Sequence, residues 1–248
     1  MSDLSPALNA EPLSQVERVV DTFTAPSKTF HDILRNASWW LPFLISVLVA
    51  LIFCGTIQKK VGWERVYENI LNQSPKAQQR FEGMAPQQAA QAKAIASKFT
   101  AVSSYMYPVF GLIAAALAAA VLMATLNFGL GGHAKFSQLF AVWMYAYLPA
   151  ALKALLAVLA LFAGVGADSF LIQNPLGSNI GYYLGSDVPL WLRSLGTSID
   201  LFTIWTLALL ILGCSIVARV KRGSAAAAVI GWWLIITIVG VGYAAIAA

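Results

Sequence analysis

Five apolar stretches occupy most of this chain, at about Trp39–Ile57, Tyr105–Leu130, Phe136–Val165, Ile199–Val220 and Ala225–Ala248. A helix rises about 1.5 Å per residue, so about 20 apolar residues cross the roughly 30 Å hydrocarbon core of a bilayer. Lipid offers no hydrogen bonds, so a segment that crosses it must satisfy its own amides, as a helix does. The expected fold class is all-α: a polytopic membrane protein with a five-transmembrane-helix bundle. Amphipathic interfacial helices are expected at the N-terminus and in the first loop. Residues 1–38 read as a cytoplasmic amphipathic segment and residues 39–248 as the five-span domain.

The charge content fits that class. Charged residues make up 11% of the chain and hydrophobic ones 59%, where soluble domains average about 25% charged. The net charge is +5, yet the basic residues lie between spans, where burial in hydrocarbon is avoided. They form no single basic patch, which argues against a nucleic-acid partner. Residues 1–38 mix Asp3, Glu11, Glu17, Asp21 and Asp32 with Arg18, Lys28 and Arg35. A cleavable signal peptide would run from a short basic start straight into an apolar core, so the first span is expected to act as an uncleaved anchor. Cys54 and Cys214 both fall inside apolar stretches and read as small packing residues.

Leu13, Val16, Val20 and Phe23 recur at helical spacing, with Gln15, Glu17, Arg18 and Asp21 on the other face. Thr24-Ala25-Pro26 starts a second short helix, with Phe30, Ile33 and Leu34 on one side. Two arrangements suit both helices: apolar face down in the membrane interface, or packed on the ends of the spans. In the first loop, Trp63, Val66, Tyr67, Ile70 and Leu71 mark one helix, and Ser74-Pro75 and Ala85-Pro86 start two more. The stripe Ile95, Phe99, Val102 and Met106 predicts a helix that continues into span two. Gly111, Ala115 and Ala119 put small residues at four-residue spacing, which permits close helix approach. Gly129 to Lys135 is a tight turn, so spans two and three form an antiparallel hairpin. The third loop, about 166–198, is dense in turn signals (Asn174-Pro175-Leu176-Gly177, Asn179-Ile180-Gly181, Gly185-Ser186-Asp187) and reads as irregular, aromatic-dotted chain on the membrane surface. Asp200 is expected in the first turn of span four, where the helix dipole favours an anion.

Five spans place the two ends of the chain on opposite sides. The densest cationic cluster, Arg219, Lys221 and Arg222, lies in the shortest loop, where the positive-inside bias carries most weight. That puts the N-terminus and this turn in the cytoplasm, and makes Arg219, Lys221 and Arg222 a candidate cytoplasmic contact. The expected location is the inner (cytoplasmic) membrane, multi-pass.

No catalytic or metal constellation emerges. His31 and His133 lie in different segments, no His/Cys/Asp/Glu group has ligand spacing, and Gly129, Gly131 and Gly132 form a turn between spans and not a phosphate loop. The expectation is therefore no enzyme, no cofactor and no metal. Lys153 stands out near the middle of span three, where a charge is costly. It either lines an ion or substrate site beside a kink at Pro149, pairs with a polar group on another span, or snorkels to water. Lys153, Tyr145, Asn127 and Pro149 are the candidate intramembrane polar site.

Several landmarks, in order, resemble bacterial members of the Yip family of Ypt/Rab-interacting membrane proteins. They are Phe23-Thr24-Ala25-Pro26-Ser27-Lys28-Thr29-Phe30 ahead of Trp39-Trp40-Leu41-Pro42-Phe43, then Phe140 to Pro149 in span three. Gln173-Asn174-Pro175 follows, and Asp200 to Trp205 leads on to Arg219-Val220-Lys221-Arg222-Gly223. The resemblance runs over essentially the whole chain. It implies a five-span helical fold with a cytoplasmic N-terminus and a role in organising membrane or binding partners, with no reaction and no catalytic residue to carry over. The expected function is accordingly membrane-organising or partner-binding, with the lipid bilayer and other membrane proteins, or a second copy, as partners. The rival is a small-solute or ion transporter built on the kinked third span.

Overall fold

The computed structural model describes residues 11–185 and 188–247, apart from the side chains of Pro75 and Ala247. Readings that touch residues 1–10, Ser186-Asp187 or Ala248 lie outside the described residues. The described secondary structure is helical: α1 (Gln15–Thr24), α2 (Pro26–Ile33), α3 (Trp40–Lys60), α4 (Trp63–Leu71), α5 (Pro75–Glu82), α6 (Pro86–Tyr105), α7 (Tyr107–Ala124), α8 (Phe136–Ala146), α9 (Leu148–Phe162), α10 (Leu190–Ser198), α11 (Leu201–Ala218) and α12 (Arg222–Ala247). Five helical segments are long and apolar enough to cross a membrane: Trp40–Lys60, Tyr107–Gly129, Phe136–Phe162, Leu201–Ala218 and Arg222–Ile246.

The ends of the spans depart from the sequence reading for identifiable reasons. Span one runs on through Lys59 and Lys60, because long cationic side chains continue a helix while their heads reach water. Span two is preceded by α6, as the Ile95–Met106 stripe predicts, but the helix breaks at Met106 just ahead of Pro108. It ends in a π-helical turn, Thr125–Gly129. Span three breaks at Tyr147, where Pro149 in the next turn lacks an amide hydrogen to continue the ladder. Span four starts at Leu201 and not at Ile199, because Asp200 is its cap. The third loop is less irregular than expected: it contains α10 and two 3₁₀ turns, Ala167–Ser169 and Ile180–Tyr183. Pro189 opens α10, and its sequence has no breaker before Gly196; the upstream turn signals masked it.

The chain divides into two compact units. One comprises residues 11–47, 109–150 and 204–235 of the described chain, and the other 48–108, 151–203 and 236–247. The core of the first unit gathers Phe30, Ile33, Ala115, Ala119, Leu126, Val142 and Cys214, among others. Ala115 and Ala119 are fully buried, as their spacing predicts. Gly213 has no room for a side chain: a Cβ there would lie 2.5 Å from Val142 and 3.1 Å from Phe30. That absence is what lets α2 seat Phe30 on span four. Trp39 meets Phe140 edge-on at 5.0 Å.

The second unit has a smaller core of Cys54, Ile57, Trp63, Val66, Leu161 and Phe170. The three helices expected in the first loop are present as α4, α5 and α6, with Ser74 Oγ accepting from the Ala77 amide at 3.4 Å to cap α5. Asn69, buried on α4, donates to the carbonyls of Ala167 and Phe170, both at 2.8 Å. That side chain ties the first loop to the third.

Candidate functional site

Lys153 is not alone. Its Nζ donates to Asp200 Oδ2 at 2.9 Å, and the two side chains are 20% and 3% exposed. Of the three readings open to it, pairing with a polar group is the one the geometry displays. Asp200 is shared further. Its Oδ1 accepts from the Phe202 amide at 2.9 Å and the Thr203 amide at 3.3 Å, which caps α11. Its Oδ2 also accepts from the Ser178 hydroxyl and, at 3.4 Å, from Asn179 Nδ2. Asn179 pairs through its amide with Asn174 and bridges the backbone of Asp200, while the Leu201 amide donates to the Ser178 carbonyl at 3.0 Å.

The third loop is thus clasped onto the start of span four through one carboxylate. Burial pushes the Asp200 pKa up, but the Ser178 hydroxyl, the Lys153 ammonium and the Phe202 amide outweigh it and hold the carboxyl below its ordinary range. The helix-dipole argument puts Asp200 in the first turn; it stands one residue earlier, as the cap, where its short carboxylate reaches the free amides of the first turn.

The other polar candidates each have a partner of their own. Tyr145, fully buried, donates its hydroxyl to Gln15 Oε1 at 3.0 Å. Asn127 closes a two-bond ring with Ala134: Oδ1 accepts from its amide and Nδ2 donates to its carbonyl, both at 2.9 Å. Asn127 therefore braces the hairpin turn between spans two and three. Pro149 marks the break at Tyr147.

The basic turn is built with care. The turns of the two span hairpins are joined: the His133 amide donates to the Ala218 carbonyl at 3.1 Å, and a Cβ on Gly132 would meet that carbonyl at 3.0 Å. Arg219 adopts φ +57°, the one positive φ among described non-glycine residues. This lets the Val220 amide reach the Ser215 carbonyl at 3.2 Å and close the end of α11. Arg219, Lys221, Arg222 and Lys135 are all exposed.

One site escaped the sequence reading. Arg18, placed on the polar face of α1, is 2% exposed. Its guanidinium holds Asp32 of α2 through Nε at 2.6 Å and Nη2 at 2.5 Å, and donates through Nη1 to the Asn36 carbonyl at 2.8 Å. Arg35 holds the other oxygen of Asp32. The hydroxyls of Thr22 and Thr29 both donate to the Arg18 carbonyl, at 2.7 and 2.9 Å. So α1 turns Arg18 and Thr22 inward beside Val19 and Phe23, while Glu17 is exposed and Val16 and Val20 are 66% and 53% exposed. Apolar periodicity says which residues share a face, not what that face meets. Phe30 and Ile33 of α2 do pack on the spans, as one of the two arrangements held.

Among the described residues, no three His, Cys, Asp or Glu side chains converge to hold a metal ion. The family model described as the Yip1 domain matches residues 20–244. No curated protein matches the chain, and no solved structure matches it.

Proposed function

The chain belongs to the Yip1 domain family of membrane proteins, and from that premise we propose that it works by interaction, as a membrane-organising or partner-binding protein, and not as an enzyme. It is a multi-pass integral membrane protein. In this reading it sits in the inner membrane of a bacterial cell, with the N-terminus and the Arg219–Arg222 turn in the cytoplasm. The cations of that turn follow the positive-inside bias, and the turn offers other membrane proteins or a second copy a charged contact.

One observation carries the reading. The polar side chains that a solute path would need are taken up in bonds within the protein: Lys153 by Asp200, Asn127 by Ala134, Tyr145 by Gln15. A side chain committed in this way is not free to exchange its partner for a passing solute. The test is crosslinking and affinity capture from native membranes, set beside solute flux in reconstituted vesicles. Capture of a partner membrane protein that is lost when Arg219, Lys221 and Arg222 are replaced by Ala supports the proposal. Solute flux above that of empty vesicles, abolished by Lys153→Met and with no captured partner, reverses it.

A further inference from the structure

The third loop carries an exposed apolar surface. In α10, every exposed side chain is apolar: Trp191, Leu192 and Leu195, followed by Ile199 just after the helix. Its polar residues Arg193, Ser194, Thr197 and Ser198 are turned partly inward. Arg193 sends Nη2 to the Gly185 carbonyl at 2.6 Å, and the Thr197 and Ser198 hydroxyls bond back to carbonyls of their own helix at 2.9 Å. The helix is held by backbone contact with the Ile180–Tyr183 turn: a Cβ on Gly196 would lie 2.9 Å from the Gly181 amide nitrogen. Ile180 and Tyr183 on that turn are 53% and 74% exposed and extend the same surface chemistry.

This is the reverse of a helix that faces water. Trp and Tyr beside Leu and Ile suit the boundary between headgroups and acyl chains, where an amphipathic ring has both surroundings at once. The position agrees. Span four has 18 residues from Leu201 to Ala218, which at 1.5 Å each is about 27 Å, close to the full hydrocarbon thickness. A helix of that length that crosses the core has its first residue at one edge, and α10 ends three residues before it. Between α10 and the first residue of span four the exposed side chains are again apolar, Ile199 and Leu201 at 41% and 62%.

We propose that α10 and the Ile180–Tyr183 turn form a lipid-docking surface, an inside-out interfacial helix lying in the acyl–headgroup boundary at the Leu201 end of span four. Its occupant is bilayer phospholipid. The Asp200 clasp, with Lys153 and Ser178, sets the level at which this element meets the membrane.

The test uses the full chain in phosphatidylcholine vesicles with one introduced cysteine, Leu195→Cys or Trp191→Cys, left free for maleimide labelling in one sample and carrying bimane for quenching in another. The native Cys54 and Cys214 are buried, and the parent chain is the blank. Asp168→Cys, at a side chain 86% exposed, is the aqueous control. The expected result is labelling by a membrane-impermeant maleimide several-fold slower than at Asp168→Cys, together with strong quenching by phosphatidylcholine brominated on its acyl chains and weak quenching by iodide. Labelling as fast as the control overturns the proposal. Protection without quenching by bromolipid also overturns it, because the face then meets protein. If the helix variants fail to insert, Ile180→Cys on the turn gives the same two readouts and decides in the same way.

Discussion

Each unit of this chain holds a buried carboxylate with a cation on it, and the two are built for different ranges. Asp32 joins helices that follow one another directly, reaching back to Arg18 over 14 positions and forward to Arg35 over three. Asp200 reaches Lys153 across 47 positions and also serves as a helix cap. The first locks a local helical pair; the second holds a loop and two spans in register. Their exposure differs too. Arg18 is 2% exposed, whereas Lys153 keeps 20%, so the loss of a partner strands Arg18 more completely.

That difference can be tested by removing each carboxylate. Asp32→Ala should have the largest effect, because it leaves a fully buried guanidinium uncompensated; breaking such a pair costs about 3–5 kcal/mol. The measurement is thermal unfolding in detergent, and a loss no larger than that of an exposed substitution would contradict the ranking. Asp200→Ala should cost somewhat less, about 2–4 kcal/mol, because Lys153 can relax toward water even as the cap is lost. Asp200→Asn keeps an oxygen for the Phe202 amide and should recover part of that loss.

The same carboxylate makes a prediction about acid. Its folded pKa is depressed, so its contribution is complete above the ordinary carboxylate range and is lost only as pH falls through the lower folded value. Unfolding temperatures followed from neutral to acidic pH should show that decline, and Asp200→Asn should flatten it. A substitution at a third site asks whether charge or packing holds α2. Gly213→Ala drives a methyl into Val142 and Phe30, and overpacking of this kind costs about 1–3 kcal/mol. If α2 is held by Asp32 alone, Gly213→Ala will leave the unfolding temperature unchanged. The smallest effect belongs to the start of α1. Ser14 Oγ accepts from the Glu17 amide while Glu17 returns a carboxylate to the Ser14 amide, at 3.2 and 2.7 Å. Ser14→Ala should cost about 1 kcal/mol, seen as faster amide exchange confined to α1.

The two carboxylates also differ in how far they could be read from residues alone. Lys153 is conspicuous because a cation inside an apolar stretch has no cheap solution, so a partner was one of three stated options. Arg18 is inconspicuous, because a cation on the polar face of an amphipathic helix is the ordinary pattern. Asn127 shows the same limit in reverse: a polar residue near the end of a span suggests lining, and the structure adds a partner seven residues away that no spacing rule points to. Asn69 gave no signal at all, since its partners at Ala167 and Phe170 are about a hundred positions distant.

Local chemistry determined what needs only local information. Five apolar lengths set the membrane class, the prolines at 75, 86 and 149 set helix starts and a break, and the order of landmarks from Phe23 to Gly223 carried the family resemblance. Tertiary structure alone decided which way each amphipathic face turns. Periodicity assigns side chains to a common face, but the energy of that face depends on what lies opposite: other helices, lipid or water. In α1 the cation Arg18 is buried while Val16 and Val20 are left outward, and in α10 the exposed side chains are apolar. Both outcomes follow from long-range packing that no window of neighbouring residues contains.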